Sequence, residues 1–239
     1  MISTILPLIP EHIQYVEPFV GGGAIFWSKK PSKNEVINDK LGIITNFYRV
    51  AQTNFIELKT LINGTLHSES DYLKSRTILK ESIGSDVERA WALWCQCQLT
   101  FSHIIYGGFA FGETGMARMT KNKIDNFTDM YCKRLQNVEI FTRDAIDLIT
   151  LKDSENTFFY CDPPYVSSDC GHYDGYTIEE FRILISILSN IKGKFLLSSY
   201  PEDVLFEYRK KHNWNYKDLK QTIMVNGKRE ETKYKTECL

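Results

Sequence analysis

The chain has 239 residues, a formal net charge of -1, 43% hydrophobic and 25% charged residues, and six cysteines. That length suits one large domain, or one domain carrying an insertion, and it buries about 70–75% of the unfolded surface without a disulfide or metal staple. The near-neutral balance excludes a histone-like polycation while leaving room for a local basic face.

In chain order, Met1–Pro7 has no basic segment, and Pro7 and Pro10 interrupt its short apolar stretch. It does not read as a signal peptide. No apolar run approaches the roughly 20 residues of a membrane helix, so a soluble, cytoplasmic chain is expected. Tyr15–Val20 is a short apolar run ending in Gly21-Gly22-Gly23, and Ala24–Trp27 opens a helix-compatible stretch. Glu35–Asp39 predicts a second strand. Helical spacing then runs through Ile43, Ile44, Phe47, Tyr48, Ala51, Phe55 and Leu58. Strand, helix, strand at this spacing opens a parallel βαβ unit.

From about residue 51 to 135 the periodicity is helical, as in Val87, Ala90, Trp91, Leu93, Trp94 and Phe101. Cys95 and Cys97 lie within it and follow no zinc spacing, so reduced thiols are expected and no metal site. Asn63-Gly64-Thr65 matches a glycosylation sequon that is idle inside a cell. Strands return at Val138–Phe141, Thr157–Cys161 and Lys194–Ser199, with helices near Asp144–Thr150 and over Ile178–Ile191. The expected fold is α/β: a Rossmann-like, doubly wound sheet formed by residues 1–50 and 136–239, with a mostly helical insertion at 51–135.

Two segments carry chemistry. Glu17-Pro18-Phe19-Val20-Gly21-Gly22-Gly23-Ala24 places glycines between a strand and a helix, where a ligand can approach the backbone. A dinucleotide fingerprint would need a third glycine where Phe26 stands, so a nucleoside ligand fits better than a pyrophosphate, and a dehydrogenase is disfavoured. Asp39 ends the next strand, where an acid can take ribose hydroxyls. Asp162-Pro163-Pro164-Tyr165 leaves the carboxyl end of a later strand, the place where ligands bind in open α/β sheets. Its prolines make a stiff turn that presents acceptors. An amine held there meets the Asp162 carboxylate and the Pro163 carbonyl, while Tyr165 stacks on a planar ring.

Together these segments resemble the Dam-like class of DNA adenine N6-methyltransferases. The resemblance implies S-adenosylmethionine as cofactor, held by Glu17, Pro18, Phe19, Gly21, Gly23, Asp39, Asp144 and Asp162. It implies Asp162, Pro163, Pro164 and Tyr165 as the catalytic tetrapeptide, with Tyr165, His172 and Tyr173 lining the target pocket. It places target recognition in the insertion, where Arg118 and Lys121 follow the loop Tyr106-Gly107-Gly108-Phe109-Ala110-Phe111-Gly112. Double-stranded DNA is then the partner, without membrane or metal, in a bacterial or phage-encoded protein. A companion restriction endonuclease and the oligomeric state stay open. By the same resemblance a Gly-Gly-Lys-type segment is expected before Met1 and a few more residues after Leu239. A catalytically impaired DNA-binding remnant is therefore one alternative; a cytosine-N4 or RNA-base methyltransferase is another, because related tetrapeptides serve such amines.

Overall fold

A computed structural model describes residues 1–101, 104–111, 116–166, 175–223 and 233–239. The expectations on Gly112, His172 and Tyr173 lie outside the described residues. The chain divides into two compact units, one of Met1–Asn38 with Arg143–Leu239 and the other of Asp39–Thr142.

The first unit opens with α1 (Ile2–Ile5), β1 (Gln14–Glu17), α2 (Ala24–Ser28) and β2 (Asn34–Asn38). The second follows with α3 (Gly42–Thr53), α4 (Phe55–Asn63), α5 (Glu69–Lys80), α6 (Asp86–Leu99), α7 (Met116–Asn126), α8 (Met130–Leu135) and β3 (Val138–Phe141). The chain then returns to the first unit through α9 (Ala145–Lys152), β4 (Thr157–Cys161), α10 (Ile178–Leu188), β5 (Lys194–Leu197), α11 (Asp203–His212), β6 (Asp218–Ile223) and β7 (Lys233–Cys238). The fold is α/β, with one five-stranded sheet in the order β3-β2-β1-β4-β5 and a two-stranded ribbon β6-β7.

In the first unit β1 pairs in parallel with both β2 and β4, and β4 with β5. Every residue of β4 is buried, as its unbroken apolar run Thr-Phe-Phe-Tyr-Cys requires of a central parallel strand. Strand order leaves β1 in one direction for β2 and β3 and in the other for β4 and β5. The switch point therefore lies between the carboxyl ends of β1 and β4. Helix α10 buries Phe181, Leu184, Ile185 and Leu188, at the spacing of one helical face, and starts in a capping box of Thr177 and Glu180.

Two details depart from the sequence expectation, while the strand-like alternation of the tail through Trp214, Tyr216 and Ile223 leads into a strand ending at Ile223. The first strand stops at Glu17 because Pro18 has no N–H for the ladder. Helix α11 buries only Val204 and Leu205, too few apolar positions to display a period. The carboxyl tail forms the antiparallel ribbon β6-β7, and Ser199, just past β5, bridges Cys238 through reciprocal backbone bonds of 3.1 and 2.8 Å.

The second unit is helical around a core that includes Tyr48, Leu58, Ile62, Trp91, Trp94 and Leu99. Helix α6 begins in a capping box of Ser85 and Glu88. The indole of Trp91 donates to Thr65 Oγ1 at 2.8 Å, so this tryptophan is a satisfied core residue. Among the described residues no disulfide joins Cys95, Cys97, Cys132, Cys161 and Cys238. Among the described residues no helix is long and apolar enough to cross a membrane.

Candidate functional site

Glu17 is the last residue of β1 and is 2% exposed. Its Oε2 accepts from the Tyr15 hydroxyl at 2.5 Å, and its carboxylate also takes the backbone N–H of Phe26 in the first turn of α2. Burial pushes the Glu17 carboxyl up to about 8, with Asp162 adding in the same direction. The Tyr15 hydroxyl, the Lys29 ammonium and the Phe26 N–H pull the other way. Glu17 therefore carries its proton at neutral pH in the free protein. Lys29 is itself paired to buried Glu35 at 2.5 Å and lies 4.1 Å over the Tyr15 ring.

The chain leaves Glu17 through Pro18 and Phe19 into a turn closed by Gly23 N–H to the Val20 carbonyl at 2.6 Å. Gly21 and Gly23 have φ of 45° and 66°, the left-handed region that favours glycine. A Cβ at Gly21 or Gly22 would meet nothing within 4 Å, so the turn borders open space. Phe26, the residue that breaks the dinucleotide fingerprint, is fully buried.

Asn38 holds this turn in place. It is 0% exposed. Its Nδ2 donates to the Pro18 carbonyl at 2.8 Å and to the Arg143 carbonyl at 3.1 Å, its Oδ1 accepts from Arg143 N–H at 2.9 Å, and its carbonyl takes Val20 N–H at 2.8 Å. One side chain thus ties the end of β1 to the segment before α9. Asp144 is exposed and caps α9, its Oδ1 accepting from Ile146 N–H at 2.9 Å. Asp39 is the first residue of the second unit; it is buried, and its Oδ1 accepts from Leu41 N–H at 2.9 Å.

Asp162 follows β4 directly and is half-buried. The Tyr160 hydroxyl donates to its Oδ2 and the Tyr165 hydroxyl to its Oδ1, each at 3.2 Å. Tyr165 also meets Ser198 Oγ at 3.3 Å, and its ring centroid lies 4.1 Å from that of Tyr200. Pro163, Pro164, Tyr165, Val166, Phe181, Ser199, Tyr200 and Glu202 line a shallow cleft beside the tetrapeptide that encloses no room for even a water molecule.

The sequence-predicted residues Glu17, Gly21, Gly23 and Asp162 thus gather at the carboxyl ends of two adjacent parallel strands. Arg118 and Lys121 are exposed on α7 in the second unit, where Lys121 pairs with Asp125 at 2.9 Å. Ahead of them, Thr100 bridges Phe109, and Arg76, Tyr72 and His67 bond to the carbonyls of Tyr106, Gly107 and Ala110. This brace leaves Phe111 73% exposed at the loop's edge. Sequence reasoning assigned no role to Asn38, Tyr160, Ser198 or Tyr200. Only Tyr160 had a legible signal, standing two residues before Asp162 and so on the same strand face.

The family model of the D12 class N6 adenine-specific DNA methyltransferases matches residues 1–233. Over 204 residues the chain is 24% identical to the DNA N-6-adenine-methyltransferase of Escherichia phage P1, covering 80% of this chain and 26% of that protein. Over 200 residues it is 28% identical to Type II methyltransferase M1.LlaDCHI of Lactococcus lactis subsp. cremoris, covering 73% of this chain and 65% of that one. The chain spans less than two thirds of the length of either relative.

Proposed function

The chain belongs to the D12 class of N6 adenine-specific DNA methyltransferases, and from that premise we propose that it methylates adenine N6 at specific sites in double-stranded DNA, with S-adenosylmethionine as cofactor. The observation that carries the reading is the placement of Asp162-Pro163-Pro164-Tyr165 beside the Glu17–Gly23 turn, at the sheet's switch point.

The donor set fits such a cofactor. The glycine turn borders open space, and the buried carboxyl of Glu17 can balance positive charge on a ligand by giving up its proton. Asp39, directly after β2, is assigned the ribose, and Asp144, at the start of α9, the cofactor adenine, both on the resemblance of their segments. When bound, S-adenosylmethionine would supply a sulfonium-activated methyl group to the N6 lone pair of the target adenine, the S–CH3 bond breaking and S-adenosylhomocysteine leaving as the neutral thioether.

The protein's task is to position and polarise that nitrogen. Its lone pair is delocalised into the ring and poorly nucleophilic. Asp162 and the Pro163 carbonyl accept the two N6 hydrogens, which favours a pyramidal nitrogen and raises its electron density. Two tyrosine hydroxyls, those of Tyr160 and Tyr165, hold the carboxylate from the protein side. As the methyl bond forms, N6 becomes acidic and its proton leaves by way of Asp162. Tyr165 stacks on the base. A duplex hides N6, so the adenine is flipped out at a cost of a few kcal/mol, and holding it in near-attack geometry supplies much of the acceleration. His172 and Tyr173, which follow the tetrapeptide in sequence, are assigned to the target pocket. The helical segment 51–135 is assigned to target recognition, with Arg118 and Lys121 on phosphates. Relatives from a phage and a bacterium support a setting in bacterial cytoplasm.

The test is incubation of the protein with unmethylated genomic DNA and labelled cofactor, followed by mass spectrometry of the digested DNA. N6-methyladenine is expected. Asp162→Ala should lose at least about a hundredfold in rate while keeping the far-UV circular dichroism of the parent. N4-methylcytosine as the product, or near-normal turnover in Asp162→Ala, would overturn the assignment.

A further inference from the structure

We infer that Tyr15 and Tyr160 are a matched pair of positioning residues, one for each carboxyl group of the site: Tyr15 sets Glu17 for cofactor binding, and Tyr160 sets Asp162 for methyl transfer. The inference rests on the adenine-methyltransferase reading and assigns work within that site to two side chains of the sheet core.

Side chains two apart on a strand share a face. Tyr15 and Glu17 are so related on β1, and Tyr160 and Asp162 on β4 and its exit. In both triplets the tyrosine hydroxyl donates to the acid above it, at 2.5 Å on β1 and 3.2 Å on β4. The parallel register pairs Val16 with Phe159, which brings the Tyr160 ring level with the Glu17 end of β1. Tyr15 is 0% and Tyr160 2% exposed, so neither ring can swing without opening the core. Each hydroxyl is a fixed post at the foot of a carboxyl group. Burial raises both tyrosines well above their ordinary range, which keeps each a donor at working pH.

The two posts act on different events. The Tyr15 hydroxyl counters the burial that holds a proton on Glu17, and so favours the carboxylate that a cationic ligand needs. Asp162 has a tyrosine on each oxygen: Tyr160 from within the core and Tyr165 from the target cleft. That pair limits rotation of the carboxylate and so sets its orientation toward the incoming amine.

The experiment compares the parent chain with Tyr15→Phe and Tyr160→Phe. It uses calorimetric titration of S-adenosylmethionine and single-turnover methylation of unmethylated DNA at saturating cofactor. Each variant removes one oxygen and keeps its ring. Tyr160→Phe should lower the transfer rate about tenfold with cofactor Kd unchanged, and retained affinity also reports an intact fold. Its rate–pH profile should have the acid limb moved to higher pH, because Asp162 loses a donor to its charged form. Tyr15→Phe should weaken cofactor binding about tenfold with an unchanged rate at saturation. The inference is overturned if Tyr160→Phe keeps the parent's rate and acid limb. It is overturned equally if either variant lowers affinity and saturated rate together, since that is what damage to the core would do. Failure of the parent chain itself to methylate adenine overturns the functional reading, and this inference with it; an active parent with inert substitutions overturns only the inference.

Discussion

Glu17 shows how one residue can be placed against its own preference for a purpose. A carboxyl group with an ordinary value of 4.5 is pushed up to about 8, chiefly by burial at the end of a central strand. Below pH 4.5 both folded and unfolded chains hold this proton. As pH rises from there towards about 8, the unfolded chain releases it and the folded chain keeps it, so the group's contribution to stability falls through that window and levels off above it. The loss is on the order of a few kcal/mol. Glu17→Gln should abolish this slope and make the cofactor-free protein more resistant to urea at pH 8.5 than the parent. Urea midpoints at pH 5, 7 and 8.5 for both chains check it; an identical pH dependence in the two would show that Glu17 ionises normally.

At the scale of elements, the site is made by strand ends and the turns that leave them. Pro18 stops β1, the glycines bend the chain back into α2, and Asn38 fastens the bend to the segment entering α9. Removing that amide strands the Arg143 N–H and the carbonyls of Pro18 and Arg143, the Pro18 bond being buried and the two Arg143 bonds part-buried. Each unmade buried bond costs about 1–3 kcal/mol. Asn38→Ala should therefore lower stability by about 2–4 kcal/mol and weaken cofactor binding in addition. Thermal melts and cofactor titration at a temperature where the variant is folded separate the two effects. A variant that melts with the parent would mean that water replaces the clamp.

At the scale of the whole chain, the net charge of -1 gives no global attraction to DNA, so the proposed DNA substrate would be held by local cations. Helix α7 presents Arg118 and Lys121 to solvent, and its ion pair with Asp125 is an exposed i,i+4 contact of little energetic weight that phosphate can displace. DNA affinity should fall steeply with salt. Replacing Arg118 and Lys121 by Ala should weaken binding across all sequences and flatten the log–log salt slope by about one per residue. Fluorescence anisotropy over a salt series measures both slopes; an unchanged slope in the double variant moves the phosphate contacts off α7.

The fold class and the Asp-Pro-Pro-Tyr turn leaving β4 were legible in the linear chain because both are local. An unbroken apolar pentapeptide followed by Asp-Pro-Pro-Tyr reads as a buried parallel strand with its ligand-binding exit, and a glycine run between strand and helix reads as a backbone turn. Alternation along a strand is also local, so the tyrosines below Glu17 and Asp162 were visible as spacing. What their hydroxyls touch was not, because a hydrogen bond depends on rotamers set by the surrounding core. The sequence likewise placed Asn38 at a strand end, but its three partners lie far along the chain, and helix α11 hid behind too few apolar positions. Which strand ends are neighbours, and hence that Glu17 and Asp162 share one environment, was decided only by sheet order. The order β3-β2-β1-β4-β5 is a long-range pairing that no window of the sequence encodes, and it is what turns two separate acids into one site.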